Sequence, residues 1–262
     1  MSKIVSLYQP TDFIVHLADD ALILGHRNSE WTGHGPILEQ DIALSNISLD
    51  LIGQARNFYQ YAAKLYSVSG KPVVTEDILA YHRDAWDFKN CLLVEQSNGD
   101  WAKTILRQFL VSQYQFLLYE SLLQSKDATI SAISEKALKE VSYHLRWSSE
   151  WVIRLGDGTE ESHKRMLNAV SELWMFAPEL FTKTNYEKEA EANGIGTDIS
   201  SFKPKWLQKV NDIFREATLS SVVLDSEEWH TLSGKEGRHT EHLGYLLAEM
   251  QFMQRAYPGC EW

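Results

Sequence analysis

From Ile37 to Tyr66 the chain runs without a proline and with a single glycine, Gly53. Apolar residues recur along it at helical spacing. Leu44, Leu51, Ala55, Phe58, Ala62 and Leu65 form one stripe, and Leu38, Ile42, Leu49, Ile52 and Tyr59 form the next. Two adjacent stripes predict a wide buried arc, as at the centre of a helix bundle. Similar segments run from Thr11, read as an N-cap, to Arg27, and from Gly99 to Leu123. Another runs from Asp127 to the LGDG turn at 155–158, with Ile130, Ile133, Ala137, Val141, His144, Leu145, Trp151 and Leu155 on its core stripe. Helices are also predicted over 160–181, 205–219 and 240–256, and shorter pieces over 75–96, holding Trp86, Phe88 and Leu92. The polar, acidic stretch 185–203 reads as a surface excursion. Neither strand-length alternation nor a solenoid period is found. The pattern therefore predicts an all-α, antiparallel helix bundle with additional helices, one domain over residues 1–262.

A net charge of −11 opposes binding to nucleic acid or an anionic membrane surface. Two cysteines, Cys91 and Cys260, make neither a disulfide framework nor a zinc knuckle, and read as buried or incidental thiols in a reducing compartment. No apolar run approaches a membrane span, and the first twenty residues lack the pattern of a secretory leader, so a cytoplasmic protein is expected. The loop SGKEG (233–237) lacks phosphate-loop spacing and follows no strand. No GxSxG elbow occurs.

Residues 139–147, KEVSYHLRW, raise the question of a metal. A di-iron centre in a bundle takes a lone carboxylate from each of two helices and a Glu-x-x-His from each of the other two. Here Glu140 and His144 are four apart, one residue too many, and Val141 fills the place three before the histidine. On the 37–66 helix, Leu51, Ile52, Gln54 and Ala55 face inward and Asp50 lies off that face. On 99–123 the middle holds Ser112 and Gln113. In the first helix Asp19 and Asp20 precede Ala21 and Leu24, which occupy the apolar row. HTEHLGYLLAEM (239–250) offers His239, His242 and Glu249, but Leu243, Leu246, Leu247 and Met250 read as an ordinary core stripe. The scattered His16, His26, His34 and His82 read as hydrogen-bonded residues rather than ligands.

Four long runs carry a resemblance. LGHRNSEWTGHGPILEQDIALSNISLDLIGQARNFYQYAA (24–63), LLVEQSNGDWAKTILRQFL (92–110), KALKEVSYHLRW (136–147) and GRHTEHLGYLLAEMQFMQRAYPG (237–259) resemble the C-type subunits of ring-1,2-phenylacetyl-CoA epoxidases, bacterial oxygenases of aerobic phenylacetate breakdown. The resemblance covers nearly the whole chain and is weakest over 183–232. It implies a ferritin-like fold and a structural subunit without catalytic residues or a cofactor of its own. The implied partners are a catalytic A subunit with the di-iron centre, a small B subunit, and a reductase with flavin and iron–sulfur centres, the whole using NADPH and O2. Carried over, the A-subunit ligand positions fall at Ala21, Leu51, Gln54, Ser112, Val141 and His144. Only His144 keeps a ligand type, so the resemblance implies a degenerate di-iron site, with His144 expected to rest on a hydrogen bond to Gln54. The rival reading is an independent ferritin-like metal-binding oxidoreductase. A homo-oligomer of the isolated chain and a contribution to the coenzyme A channel are further expectations.

Overall fold

The computed structural model describes residues 10–68, 74–220 and 233–260. Among them the regular structure is helical throughout. In chain order the α-helices are α1 (Thr11–Ser29), α2 (Leu38–Val68), α3 (Glu76–Tyr81), α4 (Leu92–Glu95), α5 (Trp101–Leu122), α6 (Ala128–Gly156), α7 (Glu160–Leu173), α8 (Asn185–Ala192), α9 (Lys203–Glu216), α10 (Glu241–Met250) and α11 (Phe252–Ala256). The expected long helices all form, with ends shifted by a few residues. Pro10, not Thr11, occupies the cap position of α1. Asp100 caps α5 by accepting from the Lys103 amide, and Asp127 caps α6 by accepting from the Thr129 and Ile130 amides.

Three sequence expectations are corrected. The helix expected over 160–181 ends at Leu173, and Trp174–Phe181 continues as 3-10 turns around Pro178, which cannot sustain an α-helical ladder. The stretch 185–203 is not a simple surface excursion. Thr184 and Glu187 form a capping box that starts α8, and Glu187, Ala190 and Ile199 are buried. The last helix is broken at Gln251, whose side chain turns to the Ala80 and Arg83 carbonyls.

Helices α1 and α2 pack as one pair and α5 and α6 as another, with α2 against α6. Contacts run antiparallel: Tyr59 meets Asp19 across the first pair, and Gln54 meets Glu140 while Asp50 meets His144 between the pairs. Helices α7 and α9 cover the second pair, and α8 and α10 lie on α1. Gly156 lets the end of α6 approach the end of α9, where a Cβ would overlap the Ala217 carbonyl. One apolar cluster runs through the helices and includes Ala21, Leu51, Phe58, Phe109, Val141, Trp206 and Leu243. This is the ferritin-like arrangement.

The wide buried arc expected on α2 holds only in part. Leu44, Leu51, Ala55, Phe58, Tyr59 and Ala62 are buried. Leu38, Ile42 and Leu49 of the second stripe are 71%, 52% and 66% exposed, and the adjoining Ile37 is exposed as well. No described helix packs over that row. The tryptophans mostly serve the interior: Trp101 stands edge-on to Trp31, Trp147 and Trp151, and Trp206 is fully buried. Among the described tryptophans Trp86 is the exception, lying open to solvent.

Candidate functional site

The six ligand-register positions lie on the four helices of the two central pairs, and all six side chains are buried. Ala21, Leu51 and Val141 belong to one apolar core. Ser112 accepts a hydrogen bond from Gln108 on its own helix, and Gln108 accepts one from Asn28 of α1. Gln54 and His144 are not paired with each other, contrary to expectation. His144 Nε2 lies 3.0 Å from Asp50 Oδ2, and Gln54 donates to Glu140 Oε2 at 2.9 Å and accepts from the Tyr119 hydroxyl.

The reason lies in the register. Asp50 and Gln54 are four apart on α2, and Glu140 and His144 are four apart on α6. In an antiparallel pair each residue of one couple reaches the opposite member of the other, so two rungs form side by side. Each carboxylate sits one residue before the position where the resemblance places a ligand, Leu51 or Val141. That displacement turns it toward the facing helix, and Asp50 remains partly exposed at 37%. Asp50 lies off the apolar face as expected, yet it reaches His144 all the same.

The densest polar chemistry lies elsewhere, around α1. Asp19 is fully buried and is reached by the Tyr59 hydroxyl, two Arg83 nitrogens and the Lys89 amide. Burial and the Asp19 charge push the Tyr59 hydroxyl well above its usual pKa, which keeps it a donor. Asp20 accepts from the Cys91 amide at 2.7 Å. Burial raises the Asp20 pKa, opposed by His16, the Cys91 amide and Lys235. Lys235, fully buried, donates to Glu187 Oε1 at 2.9 Å and to the Thr182 carbonyl. The SGKEG loop therefore serves to insert a lysine into the core, and Gly234 fits there because a Cβ would collide with the Asn90 carbonyl.

These acids were legible in principle. The run FIVHLADDALIL (13–24) is apolar on every face, so any carboxylate within it must be buried. Counting only the apolar row of Ala21 and Leu24 missed Asp19 and Asp20, because the opposite face is covered by the segment 83–95.

His239 is held in the same manner. Its Nδ1 lies 2.7 Å from Glu95 Oε2 and its Nε2 lies 3.0 Å from the Phe88 carbonyl. Both neighbours only accept, so both ring nitrogens donate and the ring is an imidazolium. Burial pulls the pKa of His239 down, but the hydrogen bond to Glu95, its charge and the Phe88 carbonyl outweigh this and raise it above the usual histidine value. A raised folded pKa gives stability that is complete below the unfolded value of about 6.5 and is lost as pH rises through the folded one. The stability advantage of the wild type over His239→Gln is therefore expected to shrink as pH increases above about 6.5. Urea titrations of both proteins across that range measure it, and a constant difference would refute the imidazolium assignment. His239 thus has a structural role, locked to Glu95, whose second oxygen accepts from the Thr240 amide and hydroxyl.

No described helix is long and apolar enough to cross a membrane. Residues 5–262 match the family model described as phenylacetic acid catabolic protein. The chain is 44% identical over 254 residues to the C subunit of 1,2-phenylacetyl-CoA epoxidase from Escherichia coli strain K12, covering 97% of this chain and 99% of the relative. Together with the helix order, these likenesses identify the chain as a member of the phenylacetic acid catabolic protein family.

Proposed function

We propose that this chain is the non-catalytic C subunit of a cytoplasmic 1,2-phenylacetyl-CoA epoxidase, bracing a catalytic A subunit that holds the di-iron centre. The observation that carries the reading is the ligand register. A di-iron centre needs about four carboxylates and two histidines converging in the bundle, and Ala21, Leu51, Gln54, Ser112, Val141 and His144 supply one histidine. The flanking Asp50 and Glu140 are turned to His144 and Gln54, where they satisfy neighbours rather than face each other. The residues present do not fit a di-iron group, so no step of oxygen chemistry is assigned to this chain. The small B subunit and a reductase with flavin and iron–sulfur centres, drawing on NADPH, complete the proposed assembly.

The exposed apolar row Leu38, Ile42 and Leu49 supports the partnership, since a lone bundle gains nothing by leaving it wet. Co-expression with the matching A subunit is expected to yield a stable complex, and epoxidation of phenylacetyl-CoA to require both chains. Aerobic iron loading of this chain alone is expected to leave the bundle centre without bound iron. Near-stoichiometric iron that disappears in His144→Ala would instead establish an independent metal-binding oxidoreductase.

A further inference from the structure

Outside the bundle centre, one group of side chains has the composition and spacing of a metal shell. His16 lies on α1, one turn before Asp20, and Cys91 is the residue preceding α4. One ligand atom from each of the three, His16 Nε2, a carboxylate oxygen of Asp20 and Cys91 Sγ, lies within 4.8 Å of the other two. Among the described residues this is the one such trio of His, Cys, Asp or Glu. Glu187 of α8 stands beside it, its Oε1 3.6 Å from His16 Nε2.

His16 points into this space with nothing to bond. The residue is 1% exposed, and its Nε2 has no hydrogen-bond partner. The other ring nitrogen, Nδ1, lies 2.7 Å from the Lys89 carbonyl, which only accepts. Nδ1 therefore carries a proton, and Nε2 is the ring atom turned toward the cluster. A backbone carbonyl holding the far nitrogen is the usual way a metal-binding histidine is oriented.

The distances fit a coordination shell, and the Cys91 thiol also donates a long hydrogen bond to Asp20. His16 Nε2 to Asp20 Oδ2 is 3.8 Å, His16 Nε2 to Glu187 Oε1 is 3.6 Å, and Cys91 Sγ to Asp20 Oδ2 is 3.5 Å. Tetrahedral zinc bonds of roughly 2.0–2.3 Å place neighbouring ligand atoms about 3.3–3.8 Å apart. A protonated imidazole between two carboxylates would instead close to roughly 2.7–2.9 Å on one of them.

We propose that His16 Nε2, Asp20 and Cys91 bind one structural zinc ion, with Glu187 beside His16, tying α1 to the residue before α4. The mixed nitrogen, oxygen and sulfur donors suit zinc. Without a cation, burial and the neighbouring Asp20 keep the Cys91 thiol protonated. Zinc binding displaces that proton to solvent, and two carboxylates, one thiolate, the dication and the adjacent Lys235 ammonium then sum to zero charge. Lys235, together with the Thr184 amide and hydroxyl, holds Glu187 in place.

The site is closed, so metal must be supplied as the chain folds. The full chain is therefore expressed in zinc-supplemented and in cobalt-supplemented medium and dialysed against chelator before metal analysis. The expected result is close to one zinc per chain, and, in the cobalt form, a near-ultraviolet thiolate-to-cobalt charge-transfer band. Cys91→Ser, which keeps the size and the hydrogen bond to Asp20, is expected to fold and to lose that band, and His16→Gln to lose most of the metal. His144→Ala is expected to leave the zinc content unchanged, which separates this site from the bundle centre. Wild-type protein with negligible zinc and no charge-transfer band overturns the proposal, as does zinc that persists undiminished in both the His16 and Cys91 variants.

Discussion

Introducing a carboxylate on the outer row of α2, as Leu49→Asp or with Ile42→Asp in addition, is expected to abolish association with the A subunit while leaving this chain folded. Leu49 and Ile42 make little use of their side chains in the isolated bundle, being 66% and 52% exposed. Substitutions at such positions change stability by about 0.5 kcal/mol or less. Against a partner the balance reverses. Fully burying a leucine or isoleucine is worth about 1.5–3 kcal/mol, and a carboxylate placed there instead must be stripped of water without a cation. The two terms together predict at least about a hundredfold weaker association for the single variant, since about 1.4 kcal/mol corresponds to a factor of ten. Gel filtration of mixed subunits and unfolding of the single chain measure the two effects separately. Unchanged association would remove this row from the interface.

Removing the carboxylate of Asp19 is expected to have the largest effect on the chain itself. Asp19→Ala leaves the Arg83 guanidinium, the Tyr59 hydroxyl and the Lys89 amide facing a gap. Arg83 is 12% exposed and packed over the Phe88 ring at 4.1 Å, so it cannot easily turn to water. Breaking a buried ion pair from one side costs about 3–5 kcal/mol, a large part of the roughly 5–15 kcal/mol that stabilises a domain. Urea denaturation should show a strongly lowered midpoint, and Asp19→Asn a smaller loss because the amide oxygen still accepts. A loss below about 1 kcal/mol would mean that Arg83 finds another partner.

The long helices were legible because a period of 3.6 repeats many times within each. Both stripes of α2 were equally visible, but a stripe only marks what prefers to leave water. It does not say whether the cover is this chain or another, and so the row at Leu38, Ile42 and Leu49 was assigned to the core. The interruption at Pro178 carries a clear signal in the sequence. The break at Gln251 carries none, because it follows from carbonyls at Ala80 and Arg83 that are distant in the chain. The ligand-register positions followed from the resemblance and the helix faces, and all six lie in the interior. The partners of His144 and Gln54 did not, since the crossing of two i,i+4 couples depends on the axial offset of α2 and α6. The charged cluster of His16, Asp20, Cys91, Glu187 and Lys235 joins residues from separate parts of the chain, which no local pattern brings together.

The paired rungs between α2 and α6 act as a stop against sliding. A shift of one helical turn, about 5.4 Å, would separate Asp50 from His144 and Gln54 from Glu140 at once, and would leave His144 buried without its partner. An ion at the bundle centre would fix the same offset by coordination. Here two hydrogen-bonded couples can do so, and Asp50 is the immediate neighbour of Leu49. The height at which α2 presents its outer row is thus set from inside the bundle. Loosening a rung would displace this outer row by a fraction of a turn without touching any residue on it.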